Sequence, residues 1–160
     1  MSEIYTRIHI QSFIRKYMTV MPEDLFVELS KLSFQGTHAR LTTSTIIELD
    51  RRLLNRKKED KLLAKCARQN DKGTAYEKEG MIDKAIKVYE NNISGDCYPA
   101  CHSFDRLMVL YRKQKRYDDE IRVIEKAIEI LSPRYPDLKP KYEQRLQKVN
   151  ILRNNNNIDN

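Results

Sequence analysis

Three side chains that could bind a metal ion lie close together in the middle of the chain. Cys97, Cys101 and His102 fall within the segment CYPACH, and thiolate sulfur with imidazole nitrogen is a ligand set that suits zinc. A structural zinc site needs four ligands, and no second cluster completes the set, because His9 and His38 are remote in the sequence. We therefore expect no metal and no cofactor. The cysteines, which include Cys66, are interpreted as free thiols.

No arrangement of residues typical of an active site is present. The sequence has no GxSxG or HExxH motif, no glycine-rich phosphate loop and no Cys–His pair in a recognisable context. Carboxylates are frequent, but they alternate with Lys and Arg at helical spacing, as on solvated helix faces. We expect that the protein is not an enzyme.

Composition favours a helical protein of one domain, or one domain with an appendage. The 160 residues include only 4 Gly and 5 Pro, so that loops should be few and short. No apolar run approaches the roughly 18 residues of a membrane span, and the first residues lack the pattern of a secretory signal. We therefore expect a cytoplasmic protein. The net charge of +7 is dispersed along the chain, which disfavours a dedicated nucleic-acid binder.

One pattern occurs twice in the second half of the chain. The stretches GTAYEKEGMIDKAIKVYENNI and RLMVLYRKQKRYDDEIRVIEKAI superimpose when Tyr76 is placed on Tyr111, an offset of 35 residues. Gly80 then falls on Lys115 and Ala85 on Glu120. A period in the mid-thirties is typical of stacked helix–turn–helix units.

These two stretches resemble the tetratricopeptide repeat (TPR) family over roughly residues 60–135. The matching positions are the small, aromatic and alanine positions of the repeat: Gly73, Tyr76, Ala85 and Tyr89 in the first unit, and Tyr111, Tyr117 and Ala127 in the second. The resemblance implies an all-α fold, in which antiparallel helical hairpins stack as a short right-handed TPR-like superhelix. N-terminal helices and a C-terminal capping helix would complete it.

The paired helices should approach closely at Gly73, with Ala85 as the expected contact, and Gly80 should form the turn. The second unit departs from the family, because Met108 replaces the small residue and Glu120 replaces the alanine. A buried Glu120 would need a charged partner, and Arg106 and Arg112 are the candidates. The alternative is an exposed glutamate on a slightly rotated helix.

The remaining segments are predicted from local patterns. Ile4 to Tyr17 fits a helical face and also alternates as a strand would, and its length favours a helix. Ser33 to Arg40 should be a loop, and the helix that starts near Ser44 or Thr45 should break or bend near Lys57. We expect residues 1–44 to form an N-terminal helical segment and residues 45–153 a TPR-like repeat domain with a capping helix at 137–153. Residues 154–160 should be a disordered Asn-rich tail.

In the TPR family the leading helix of each hairpin lines a concave groove that binds a peptide or protein. The resemblance assigns ten residues to this groove, hereafter the predicted groove residues: Asn70, Thr74, Glu77, Lys78, His102, Asp105, Arg106, Val109, Arg112 and Lys113. We expect a protein-interaction scaffold for a partner that can be acidic, since Arg pairs bidentately with carboxylates.

Two alternatives remain open. The first is a nucleic-acid-associated regulatory protein that uses the cations between positions 51 and 61: Arg51, Arg52, Arg56, Lys57, Lys58 and Lys61. The second is a structural adaptor that assembles with itself through an uncapped end of the repeat stack.

Overall fold

The computed structural model describes the backbone of residues 3–95 and 97–158, and their side chains as far as Asn155. Most of these residues are helical, as the sequence predicts. The chain divides into two units, Met1–Lys61 and Leu62–Asn160. The division lies inside helix α3 (Thr43–Lys78), whose first part belongs to the first unit and whose last part belongs to the second.

The first unit combines helices with a two-stranded antiparallel sheet. Its elements are β1 (Tyr5–His9), α1 (Ile10–Tyr17), α2 (Glu23–Ser33), β2 (His38–Thr42) and the start of α3. The prediction of a helix from Ile4 to Tyr17 is therefore wrong for β1 and right for α1. Tyr5 pairs with Thr42 and His9 with His38, so the alternating pattern was a strand whose partner lies in and just beyond the predicted loop.

The core of the first unit brings α1 and α2 onto the start of α3. Its buried members are Ile8, Ile10, Phe13, Tyr17, Leu29 and Leu49. The Tyr17 hydroxyl donates a hydrogen bond of 2.7 Å to Asp50. At the start of α3, the Thr42 hydroxyl accepts from the Thr45 backbone N–H at 3.2 Å. The helix cap is thus Thr42 rather than the predicted Ser44 or Thr45.

Helix α3 is continuous through Lys57, so the predicted break at that point is absent. The polar segment Asn55–Lys61 interrupts the apolar stripe but consists largely of Lys, Arg and Glu, which are good helix formers. Arg56 and Asp60, one helical turn apart, form an ion pair at 3.2 Å. Loss of the apolar stripe here marks an exposed part of the helix rather than its end.

The second unit consists of helices: the end of α3, α4 (Ile82–Ile93), α5 (Cys101–Lys113), α6 (Tyr117–Leu131) and α7 (Lys139–Ile158), with a short 3-10 turn (Pro136–Leu138) before α7. Near the turn that joins α3 to α4, the Tyr89 hydroxyl donates to Glu77 at 2.8 Å. Farther from it, the Asn92 amide donates to the Cys66 carbonyl at 3.3 Å. The order of these contacts makes α3 and α4 antiparallel.

Helix α7 is longer than the predicted cap at residues 137–153. Its backbone is helical to Ile158, so the predicted disordered tail at 154–160 begins as helix, and residues 159 and 160 lie outside the described part. Tyr142 and Val149 of α7 are fully buried. They join the core of the second unit, whose other large buried members include Tyr89, Phe104, Leu107, Met108, Tyr111, Ile124 and Leu131.

The two hairpin turns of the second unit have the same backbone geometry. Gly80 and Lys115 both take positive φ, at 74° and 56°. The next backbone N–H in each case, of Met81 and Arg116, bonds back to the carbonyl five residues earlier, at 2.8 and 3.0 Å. This is the Schellman pattern of helix C-termini. The 35-residue offset between the hairpins is therefore present in the backbone as well as in the sequence.

Close approach at Gly73 is confirmed, but the contacting residue differs from the prediction. A Cβ added at Gly73 would overlap the aromatic ring of Tyr89, and the three nearest atoms all belong to that ring. Ala85 is fully buried, but it is not the residue that fills the space over Gly73. The glycine is needed because a large ring from α4 lies directly on the backbone of α3.

Candidate functional site

The predicted groove residues come from the end of α3 and from α5, both in the second unit. One of them, Asn70, is part of an internal network instead of an open groove. Its side-chain oxygen accepts from the Asn92 amide at 3.0 Å and from the Ser103 hydroxyl at 2.6 Å. Asn92 and Ser103 are buried, and unpaired buried polar groups are costly. Asn70 therefore joins α3 to α4 and α5.

Five predicted groove residues do lie together. They line a shallow concavity of about 360 Å³ between α3 and α5, here called the α3–α5 concavity: Thr74, Glu77, Lys78, His102 and Arg106. The resemblance to the TPR family thus grouped residues from two helices that line one concavity in the structure.

An ion pair crosses the α3–α5 concavity. Arg106 binds Glu77 through two parallel hydrogen bonds, of which the one from Nε measures 2.9 Å. The Tyr89 hydroxyl donates to the same carboxylate. The Arg106 guanidinium, with a smaller contribution from Tyr89, lowers the pKa of Glu77 from its usual value. Because this arginine is engaged by a neighbouring helix, it serves as a brace between the hairpins.

The polar side chains next to this ion pair in the α3–α5 concavity also contact other protein groups. The Thr74 hydroxyl lies 3.4 Å from both the Tyr89 hydroxyl and His102 Nε2. The His102 ring packs edge-on against Tyr89 with centroids 5.9 Å apart. Lys78 is exposed at the rim. Most polar groups of this concavity therefore already have partners in the protein.

A second concavity, of about 310 Å³, lies between α5 and α7. It is lined by Arg112, Lys141, Gln144, Arg145 and Lys148 and is called the α5–α7 concavity. Of these residues the sequence predicted only Arg112, because α7 was interpreted as a cap alone. The available signal was the spacing of Lys141, Arg145 and Lys148, which places three cations on one helical face. That face lies beside the apolar stripe that packs into the core.

Glu120 is fully buried behind the α5–α7 concavity. Arg112 binds its carboxylate bidentately at 2.6 and 2.9 Å, and Arg145 donates to it from Nε at 2.9 Å. The prediction of a structural Glu120–arginine pair is confirmed for Arg112, while Arg106 pairs with Glu77. Arg145 was missed. Two arginines satisfy the carboxylate, as a buried charge requires.

These pairs do not use all the donors of the two arginines that line the α5–α7 concavity. Arg112 uses Nε and Nη2 for Glu120, and Arg145 uses Nε. Among the described residues, Nη1 of Arg112 and both terminal nitrogens of Arg145 have no protein partner. Lys141 lies 3.6 Å from Asp105, and Lys148 is exposed. Four cations thus meet two carboxylates, which leaves a local excess of two positive charges.

The other predicted groove residues lie outside both sets of lining residues. Asp105 faces α7, where its carboxylate accepts from the Tyr142 hydroxyl at 3.1 Å. Burial, followed by the charge of Asp105, raises the pKa of that hydroxyl. Val109 is half-buried and Lys113 is exposed. Asp105 is thus a contact that docks α7, and the predicted groove is divided along α5 into two concavities.

The three cysteines are free thiols in this structure. Burial raises the pKa of the Cys97 thiol, and a raised pKa disfavours the nucleophilic thiolate form. Among the residues that the structure describes, no three His, Cys, Asp or Glu side chains are grouped to hold a metal ion. Within the same residues, no helix combines the length and apolar character needed to cross a bilayer.

Three of the six cations in the nucleic-acid alternative are engaged by neighbouring carboxylates. Arg51 and Arg52 both bind Glu48 at 2.8 Å, and Arg56 binds Asp60. Lys57, Lys58 and Lys61 are exposed. Ion pairs between residues one helical turn apart are typical of an exposed helix face with mixed charges.

Comparison with known proteins gives no relative: the chain matches no family model, no curated protein and no solved structure.

Proposed function

We propose that the protein is a non-enzymatic interaction module, which binds an acidic segment of another protein on the face formed by α3, α5 and α7. The TPR-like interpretation of the hairpins supports this proposal. Their two turns share one geometry at the 35-residue offset, as expected of repeated helix–turn–helix units. In such stacks the leading helices form an extended binding surface.

The observation that carries the proposal is the charge of the α5–α7 concavity. Four cations line it, and only Glu120 and Asp105 are in contact with them among the described residues. A surface with excess positive charge attracts acidic segments and raises their association rate. Rigid helices hold the cations, so that little ordering is required when a partner binds.

Selection from displayed random peptides tests the proposal. The full chain is immobilised, and we expect enrichment of linear peptides rich in Asp and Glu. The double variant Lys141→Glu/Lys148→Glu should weaken binding of the enriched peptides by about tenfold or more, because two exposed cations of the site become anions. Affinity is measured by titration of each enriched peptide.

A matched control uses the same change of charge elsewhere. Lys57→Glu/Lys58→Glu alters two exposed lysines of α3 in the first unit and should leave the affinity unchanged. Enrichment without acidic residues, or equal loss of binding in both double variants, would contradict the proposal. The second result would mean that net charge alone attracts the peptides.

A further inference from the structure

We infer that the α5–α7 concavity is a phosphoryl-binding pocket, so that the acidic segment bound here carries a phosphorylated side chain. The inference rests on the proposed function and specifies the chemistry of the partner. It concerns the chemical group that Arg112, Lys141, Arg145 and Lys148 recognise, with Gln144 as a further polar neighbour.

Glu120 fixes the two arginines before any ligand arrives. Its buried carboxylate holds Nε of both guanidinium groups, at 2.6 Å for Arg112 and 2.9 Å for Arg145. The arginine side chains are still 31% and 28% exposed. Both residues line the concavity, and each keeps donors that Glu120 does not use. A planar guanidinium presents its donors in a rigid fork that matches phosphate oxygens. Donors fixed in this way lose little freedom on binding.

The lysines add charge at the rim of the pocket. Lys141, Arg145 and Lys148 are spaced by four and three residues along α7, so that they lie on one helical face. Lys141 has one carboxylate neighbour, Asp105 at 3.6 Å. The rim therefore contributes positive charge on both sides of the arginine pair.

A phosphoryl group fits this arrangement better than a carboxylate does. A phosphomonoester carries a charge of about −1.5 to −2 at neutral pH and offers three acceptor oxygens, and the pocket has an excess of two positive charges. A single carboxylate has two oxygens and one charge, so it would leave donors and charge unmatched. Clusters of arginine are a recurrent means of phosphopeptide recognition.

A continuous nucleic-acid backbone fits less well, because it requires a track of cations. The neighbouring α3–α5 concavity does not extend such a track, since Glu77 binds Arg106 there. Four cations line one pocket of about 310 Å³, which suits a single group on a protein segment.

Three peptide libraries that differ at one fixed position test the inference. The fixed residue is phosphoserine, glutamate or serine, with randomised residues on both sides, and retention of the full chain on each immobilised library is measured. We expect phosphoserine to retain the protein about tenfold better than serine and clearly better than glutamate. Lys141→Gln/Lys148→Gln should reduce retention on phosphoserine to near the serine level, whereas Lys57→Gln/Lys58→Gln should not. Both pairs are exposed, and circular dichroism checks the fold.

The outcomes separate the inference from the proposed function. Equal retention on glutamate and phosphoserine, lost in Lys141→Gln/Lys148→Gln, would overturn the phosphoryl pocket and leave an acidic-peptide module. Retention on none of the libraries would overturn both. If Lys141→Gln/Lys148→Gln still preferred phosphoserine, the phosphoryl group would not bind in the α5–α7 concavity. Displacement by single-stranded RNA at low and high salt would contradict the inference in favour of a nucleic-acid backbone.

Discussion

The α3–α5 and α5–α7 concavities share two pairs of lining positions that are 35 residues apart, but the two concavities differ in charge. The 35-residue offset places Arg112 where the first repeat has Glu77, and Lys141 where it has Arg106. In the α3–α5 concavity, the carboxylate and the cation bind each other. In the α5–α7 concavity, both of these positions hold cations, and Arg145 and Lys148 add two more. This change of sign accompanies the difference between an ion pair that joins two helices and a concavity with excess positive charge.

A second difference between the repeats accompanies the first. The offset places Glu120 where the first repeat has Ala85, and both residues are fully buried. The second hairpin has Arg112 at the position that corresponds to Glu77, so it has no carboxylate there. Its carboxylate, Glu120, lies inside the hairpin and binds Arg112. The two hairpins thus keep the same turn geometry although one carries its carboxylate on the surface of the hairpin and the other inside it.

The sizes of the packed side chains also differ between the two hairpins, but the differences offset each other. The first pairs Gly73 with the large ring of Tyr89, and the offset places Met108 and Ile124 at these positions in the second. All of Tyr89, Met108 and Ile124 are fully buried. A small residue with a large one, or two of medium size, fill the interior in each case.

The largest loss of stability is expected when the buried Glu120 is replaced by alanine, the residue at the corresponding position of the first hairpin. Glu120→Ala removes the buried carboxylate and leaves Arg112 and Arg145 close together without their shared partner. We expect the free energy of unfolding to fall by about 3 kcal/mol, since loss of one partner of a buried ion pair is strongly destabilising. Denaturation with urea measures the change.

Glu125→Ala is the control, because Glu125 lies on the same helix and is exposed. It should change stability by less than about 0.5 kcal/mol. A Glu120→Ala variant as stable as the wild type would mean that the interior ion pairs do not hold α5, α6 and α7 together.

Gly73→Ala tests the packing difference between the hairpins. Although alanine favours helices, the added Cβ would overlap the buried Tyr89 ring, and we expect a net loss of about 2 kcal/mol in the free energy of unfolding. In a Tyr89→Ile background, which has the side chain of the second hairpin, the same substitution should be nearly neutral. A double-mutant cycle measures this coupling, and equal losses in both backgrounds would contradict the close contact.

A smaller effect is expected at the face of the first repeat. Glu77→Gln removes one charge of the brace and should lower stability at pH 7 by about 1 kcal/mol, a value reduced by solvent screening at the partly exposed Arg106. The pKa of Glu77 is lowered in the folded protein from 4.5. Its contribution is therefore present above pH 4.5 and is lost as the pH falls through the lower, folded pKa.

Urea denaturation of the wild type and of Glu77→Gln over this pH range measures the effect. The difference between the two proteins should shrink as the pH falls below 4.5. A difference that stays constant with pH would show that the carboxylate charge of Glu77 does not stabilise the fold.

The sequence predicted the features that depend on local pattern and on the repeat. The hairpin turn at Gly80 follows from the periodicity. A buried pair between Glu120 and an arginine follows from one residue that departs from the repeat, although the sequence left both Arg106 and Arg112 as candidates. Strand β1 was not predicted, because its pairing partner β2 is remote in the chain and local alternation fits both structures. The predicted break at Lys57 was wrong, since the exposed part of a long helix needs no apolar stripe.

Only part of the candidate site was predicted, because contacts between helices decide the rest. Position in the repeat correctly grouped Thr74, Glu77 and Arg106, but it could not show that Glu77 engages Arg106. Arg145 was missed because the spacing of the cations on α7 shows that they share one helical face, but not that this face packs beside Glu120. The polar network of Asn70 likewise depends on a side chain from another helix, Asn92.

The central claim is that the α5–α7 concavity binds the ligand while the α3–α5 concavity braces the fold. Titration of the full chain with a glycine-flanked phosphoserine peptide, followed by proton–nitrogen correlation spectra, tests it most directly. We predict chemical-shift changes concentrated around Arg112, Lys141, Arg145 and Lys148, with little change at Thr74 and Glu77. Changes centred on Thr74 and Glu77, or no change at any of these residues, would contradict the claim.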